Sequence, residues 1–414
     1  MLKNTNHKQL RYFSKEVLFL IFYALMRNHL FEYIGFENWS NLLFLGDLFC
    51  LLFVLVYSHS FINPRSSGYP ALIFYGLCIT FMVSLFLWPS KINDSLRTFL
   101  PIFGISIYFY LKRANVSAKE AEFSLIIMAI LYLICWIIAI YSLPDYVFGQ
   151  NREIENYESI DIRGFFRFWI PDRTHYPFLI FYFMGGFLMS HKNKYLLGII
   201  IVMVVIVLHV GRQSIFWSFA LVMLFYLSVN RKHLLLISII CILTYLGLSY
   251  LIENIDILDK MISITSDQMS DAKSNVRYGA FYYYIFDYPH NILSIIFGNG
   301  EPVYGSTLWA IFQKAASNGW HLQDIGYLGT YCNYGIWMVI ILMLMLVRII
   351  SIRVEDKYQY LKFYIYYEYC CHLLGHSLTT DIYYVIIAYY ILELSSSRIK
   401  KQLCHGFTNC VHFN

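Results

Sequence analysis

"LLGIIIVMVVIVLHVGRQSIFWSFALVMLFYLSV", residues 196–229, decides the class of this chain. Nearly every residue on either side of Gly211-Arg212 is apolar, and almost no loop separates the two arms. A helix needs roughly 20 apolar residues to cross hydrocarbon, and a helix satisfies its own backbone hydrogen bonds there. The stretch therefore reads as two spanning helices joined by a tight turn, with an arginine at the seam. A charge in that position costs free energy unless an anion meets it, so Arg212 marks a candidate site.

Composition extends this reading to the whole chain. Of 414 residues 58% are hydrophobic and only 14% charged, well below the roughly 25% charged residues of soluble domains. Aromatics reach 19%, a bias expected of helix ends in membrane interfaces. The net charge of +5 then reads as membrane topology, and no nucleic-acid partner is expected. Twelve apolar runs stand out: 15–33, 39–60, 70–89, 96–111, 122–142, 175–190, 194–210, 213–229, 233–252, 325–348, 358–376 and 380–396. The expectation is an all-α polytopic membrane protein with about twelve transmembrane helices, one integral membrane domain over 1–414. Lys3, Lys8, Arg11 and Lys15 lead straight into the first run, so no cleavable signal peptide is expected.

Lysine and arginine orient the spans. Arg65, Lys112/Arg113/Lys119, Lys192/Lys194, Arg231/Lys232 and Arg348/Arg353/Lys357 fall in alternate loops, and Arg398, Lys400 and Lys401 lie on the same side. Positive charge favours the cytoplasmic face, which places both termini there. The short loop with Lys91 and Arg97 goes against the pattern. The nine cysteines fall in spans, at a span end or in the tail, with no CxxC pair, and read as small apolar fillers.

Two outer segments are long: 143–174, and 253–324 between the ninth and tenth spans. The second carries eight acidic against four basic side chains. Its runs "YGAFYYYIFDYP" (278–289) and "NGWHLQDIGYLG" (318–329) are too apolar for disorder. It reads as a folded cap whose short helices lie on the outer membrane face.

Three elements carry candidate chemistry. In "DIRGFFRFWIPDRTHYP" (161–177), Arg163, Arg167 and Arg173 alternate with aromatic residues. Guanidinium forks match phosphate oxygens, and aromatic faces match sugar rings. At the seam, His209 shares a helix face with Arg212 if the helix is continuous, and Gln213 and Ser214 add donors. The seam suits an anionic, oxygen-rich ligand. In the third element, His321 and Asp324 are three apart after Trp320, and a carboxylate beside an imidazole suits a general base. Two such residues do not make a metal site. His372 and His376, with Asp381 beyond, read as helix packing rather than metal ligation.

The order of these elements resembles the O-antigen polymerase and O-antigen ligase superfamily of bacterial glycan-assembling membrane enzymes. The resemblance rests on "RGFFRFWIPDR" (163–173), "VGRQSIF" (210–216), "NVRYGAFYYY" (275–284), "IIFGNG" (295–300) and "WHLQDIGYLGTYCNYGIW" (320–337). It covers roughly residues 155–347. Asp172 stands where the family has Asn after Pro171, and Leu322 where Asn, Ser or Asp follows the histidine.

The resemblance implies a glycosyltransferase without metal or cofactor, acting on undecaprenyl-diphosphate-linked glycan at the periplasmic face of the bacterial inner membrane. Arg212 and Arg277 would contact the diphosphate, Arg163 and Arg167 the diphosphate or glycan. Arg173, Trp320 and His209 would contact substrate. His321 would be the base, with Asp324 supporting it. A chain-length regulator is an implied partner beside the lipid bilayer. The loose motifs look more like polymerases than ligases. Ligation to lipid A–core and a twelve-span glycolipid flippase or transporter are the alternatives.

Overall fold

The computed structural model describes residues 14–27, 44–45, 48–49, 51–52, 56, 64–141, 175–208, 212–229, 276–373, 375 and 382–411. Among them every regular element is a helix. In chain order these are α1 (Lys15–Arg27), α2 (Pro64–Leu87), α3 (Ile92–Phe99), α4 (Ile107–Arg113), α5 (Ala118–Tyr141), α6 (His175–Ser190) and α7 (Asn193–Leu208). Then follow α8 (Arg212–Val229), α9 (Val276–Tyr282), α10 (Ile292–Phe297), α11 (Thr307–Ala316), α12 (Tyr327–Ser351), α13 (Gln359–Cys371) and α14 (Ile382–Val411).

Three of the described helices are long and apolar enough to cross a membrane: Gly68–Leu87 within α2, Ala118–Ile138 within α5, and Tyr327–Ser351. The apolar stretches of α7 and α8, Asn193–Val207 and Gln213–Val229, are shorter. The expected run 233–252 and most of 39–60 lie outside the described residues, as do the segments 143–174 and 253–275. The run expected at 96–111 is not one helix. It divides into α3, a 3-10 turn at Ile102–Ser106 and α4. Pro101, which has no N–H to donate, stands at the break. The run expected at 358–376 shortens to the thirteen residues of α13, against the roughly 20 that a straight crossing needs.

Local signals account for the helix starts. Ser117 and Glu120 form a reciprocal cap before α5. The Ser117 N–H donates to the Glu120 carboxylate at 2.9 Å, and the Glu120 N–H to Ser117 Oγ at 3.3 Å. Asn291 and Ser294 do the same for α10. Between α6 and α7 a close approach needs glycine. A Cβ on Gly186 would lie 2.6 Å from the Tyr195 ring, and one on Gly198 2.8 Å from Phe183.

The core is rich in tyrosine. Tyr108, Tyr132, Tyr176, Tyr364, Tyr383 and Tyr384 are wholly or almost wholly buried, so many of the tyrosines expected in interface belts are interior instead. Their hydroxyls find backbone carbonyls across helices. Tyr384 donates to Leu125 O at 2.7 Å, Tyr390 to Val116 O at 2.7 Å, and Tyr369 to Leu342 O at 2.9 Å. Each such bond contributes about 1 kcal/mol, and each also fixes helix register. Two carboxylates within the bundle are met by tyrosines as well: Tyr360 donates to Glu122 and Tyr108 to Glu393. In this core α13 packs on α6 and α8, and α14 on α5.

Beside the helix bundle, residues 276–325 build a second, aromatic core. Tyr284, Tyr288, Leu308, Leu322, Ile325 and Cys332 are buried in it, with Tyr283, Trp320 and Tyr331 packed around them. This aromatic unit, the cap, includes the runs 278–289 and 318–329.

Candidate functional site

The turn His321–Gly326 carries the cap into α12. Leu322 and Ile325 anchor it in the aromatic core. Gly326 has φ 53, and a Cβ there would meet the His372 carbonyl oxygen at 2.0 Å, so only glycine lets the turn sit against the end of α13. Between these anchors, His321 and Asp324 point outward and are exposed.

His321 is extended and precedes the 3-10 turn, whereas Asp324 lies within it. Their backbones are joined, the Asp324 N–H donating to His321 O at 3.0 Å. Their side chains form no ion pair, since the described pairs are Lys15–Glu16 and Lys357–Glu355. The carboxylate therefore does not pair directly with the imidazole.

Trp320 is held from two sides. Its carbonyl accepts from the Tyr284 hydroxyl at 3.1 Å, and its ring lies 5.3 Å from that of Tyr283. A Cβ on Gly279 would lie 2.6 Å from Trp320 Nε1. The first turn of α9, with exposed Arg277, thereby comes beside Trp320 and His321.

The start of α8 joins the same place. The point a Cβ on Gly375 would occupy lies 3.7 Å from Gln213 Oε1, 3.8 Å from Gln323 O and 3.9 Å from Asp324 Cα. Arg212 is the residue before Gln213 and opens α8. Gln213 Nε2 is buried with no hydrogen-bond partner. Ser214 and Tyr367 of α13 are joined by a side-chain hydrogen bond, which pins the seam to the bundle. Arg212, Arg277, Trp320, His321 and Asp324 thus stand on elements that approach the same turn. Arg163, Arg167, Arg173 and His209 lie outside the described residues.

His372 belongs to the packing beneath this site. It is buried, with Nε2 at 2.7 Å from Thr330 Oγ1 and its ring edge-on to Tyr327 at 4.4 Å. His376 and Asp381 lie outside the described residues. Among the described residues no three His, Cys, Asp or Glu side chains gather as metal ligands. Replacing Thr330 with valine keeps the volume and removes the hydroxyl that meets His372 Nε2. Thermal unfolding in detergent should show a loss of about 1–2 kcal/mol.

One acid in the cap was not singled out by its sequence context. Glu301 follows the "FGNG" turn, and its carboxylate accepts from the Tyr334 hydroxyl of α12. Burial pushes this carboxyl above the usual carboxylate range, against hydrogen bonds from Tyr334 and Asn333 that pull it down. A raised value means the folded protein holds the proton more tightly than the unfolded chain. Stability should therefore fall as pH rises through that raised value. Glu301→Gln keeps an acceptor for Tyr334 and should flatten this part of the stability–pH curve.

Comparison of the chain with protein-family models, with curated proteins and with solved structures finds no match. What the fold and the site define is a class: an all-helical chain, over its described residues, with membrane-capable helices and an aromatic cap.

Proposed function

We propose that the chain is a membrane glycosyltransferase of the O-antigen polymerase type, with about twelve spans and both termini in the cytoplasm. It joins lipid-linked oligosaccharide repeats at the outer face of a bacterial inner membrane. The observation that carries this reading is the meeting of Gln213, Gly375 and Asp324. It brings the arginine-bearing start of α8 beside a histidine-and-carboxylate turn of the cap. The α8 N-terminus adds its dipole to the Arg212 charge, a combination suited to a diphosphate.

In the proposed step, a sugar hydroxyl oxygen attacks the anomeric carbon of the chain linked to undecaprenyl diphosphate. The new C–O bond forms as the bond to the diphosphate oxygen breaks, and the diphosphate leaves with that electron pair. His321 accepts the hydroxyl proton. Arg212 and Arg277 offset the growing negative charge, where such stabilisation acts most strongly on rate. Trp320 and its tyrosine neighbours offer ring faces to the glycan, and Arg163, Arg167, Arg173 and His209 complete substrate binding. Asp324 tunes His321 through the shared turn or an ordered water rather than by direct pairing.

Purified protein in vesicles, given lipid-linked repeat units, tests this. Longer lipid-linked glycan and release of undecaprenyl diphosphate are expected. Transfer to lipid A–core alone would point to ligation, and movement of the glycolipid without bond formation to a carrier. The break in α12 at Gly335 is the observation that favours the carrier, because transporters use discontinuous helices.

A further inference from the structure

The cap was expected to lie on the membrane face, but one part of it goes deeper. The six residues of α10 and the "FGNG" turn after them pack between α2 and α12. Thr80 Oγ1 donates to Phe297 O at 2.5 Å. Thr80 is seven residues before the end of α2, and at 1.5 Å per residue that is about 10 Å down the helix. The apolar stretch Gly68–Leu87 has 20 residues. Its length of about 30 Å matches the hydrocarbon core, so Leu87 sits near the boundary on the cap side.

The other wall agrees. The Ile296 carbonyl oxygen lies 2.2 Å from where a Cβ on Gly335 would be. Gly335 is eight residues into α12, about 12 Å from its cap end.

The backbone N–H groups of Gly298, Asn299 and Gly300 all donate to protein carbonyls. Gly335 has φ 76 and interrupts α12. Into that break the Asn299 N–H donates to Cys332 O at 2.9 Å and the Gly300 N–H to Asn333 O at 2.8 Å. Asn299 is fully buried; its Nδ2 donates to Pro289 O and its Oδ1 accepts from Trp88 Nε1. A surface loop has water for such groups, whereas one at hydrocarbon depth does not. On its open side α10 exposes Ile292, Leu293, Ile295 and Ile296, with Ile292 at 77%. On the two flanking helices, α2 exposes Phe86 and α12 exposes Ile336 and Ile340.

We propose that residues 291–300 form a re-entrant element inserted into the leaflet on the cap side, with the open face of α10 in contact with phospholipid acyl chains. The proposal rests on α2 and α12 as spans and is independent of the glycosyl-transfer reading.

The test places a benzophenone amino acid at Ile292 or Ile296 of the full chain. The protein is reconstituted in phosphatidylethanolamine–phosphatidylglycerol vesicles with labelled acyl chains, then irradiated. Lipid labelling at both positions should equal that of a probe at Leu344, on the exposed face of α12, and exceed at least fivefold that of a probe at Tyr304 in the cap. Labelling no higher than at Tyr304 overturns the proposal. So does a cross-linked dimer in place of lipid adduct, which would mark a protein interface. Two positions are used so that misfolding of one variant leaves the other decisive.

Discussion

Arg212→Ala is expected to lower the rate of glycan elongation about 100- to 1,000-fold, the usual cost of removing one preorganised charge-stabilising group. Arg212 is the first residue of an 18-residue helix whose N-terminal amides add positive potential. Its neighbour Gln213 and the turn that carries Asp324 both come within 4 Å of the point that a Cβ on Gly375 would occupy. In the proposed step the charge to be stabilised grows as the diphosphate leaves, so the loss should appear mainly in kcat rather than in KM. Arg212→Lys should recover part of the rate, because an ammonium neutralises charge without the bidentate geometry of a guanidinium. Elongation by Arg212→Ala at near wild-type chain length and equal expression would remove Arg212 from the mechanism.

The largest effect on stability is expected at Gly298 and Gly335. Gly298 has φ 84, and a Cβ there would lie 2.1 Å from Asn333 O. Gly335 has φ 76, and its Cβ would lie 2.2 Å from Ile296 O. In both cases the obstacle is backbone, which cannot rotate aside as a side chain does. Left-handed strain costs about 1–3 kcal/mol on its own, and displacing the turn also breaks the bonds into α12. Either substitution to alanine should destabilise the protein by about 3 kcal/mol or more, read as a lower melting temperature or reduced folded yield. By contrast Gly305→Ala, where no atom approaches within 4 Å, pays only the strain of φ 78 and should be milder. Equal melting temperatures for the three variants would refute the packing argument.

Much of the helical frame was legible in the residues. The runs at 213–229 and 194–210 correspond to Arg212–Val229 and Asn193–Leu208, because hydropathy and helix length there have the same physical origin. Residues 122–142 begin four residues late against Ala118, since the Ser117–Glu120 cap rather than hydropathy sets the start. The broken run at 96–111 carried its own warning in Pro101. The break at Gly335 carried almost none: hydropathy averages over a glycine, and its positive φ is imposed by a turn about forty residues earlier in the chain. For the candidate site, residue types pointed to Arg212, His321 and Asp324, but not to their geometry. Gly375 supplies the meeting point and has no side chain with which to announce itself.

The insertion of "FGNG" into α12 also reverses the usual relation between loops and solvent exchange. The amide protons of Asn299 and Gly300 belong to a connecting turn, yet they occupy the place that a helix's own amides vacated. Opening them requires separating α10 from both α2 and α12, whereas the ends of α9 and α11 can fray alone. Deuterium should enter Asn299 and Gly300 more slowly than it enters the first turns of those neighbouring helices. Segments of this chain that look like linkers on paper can be among its last to open.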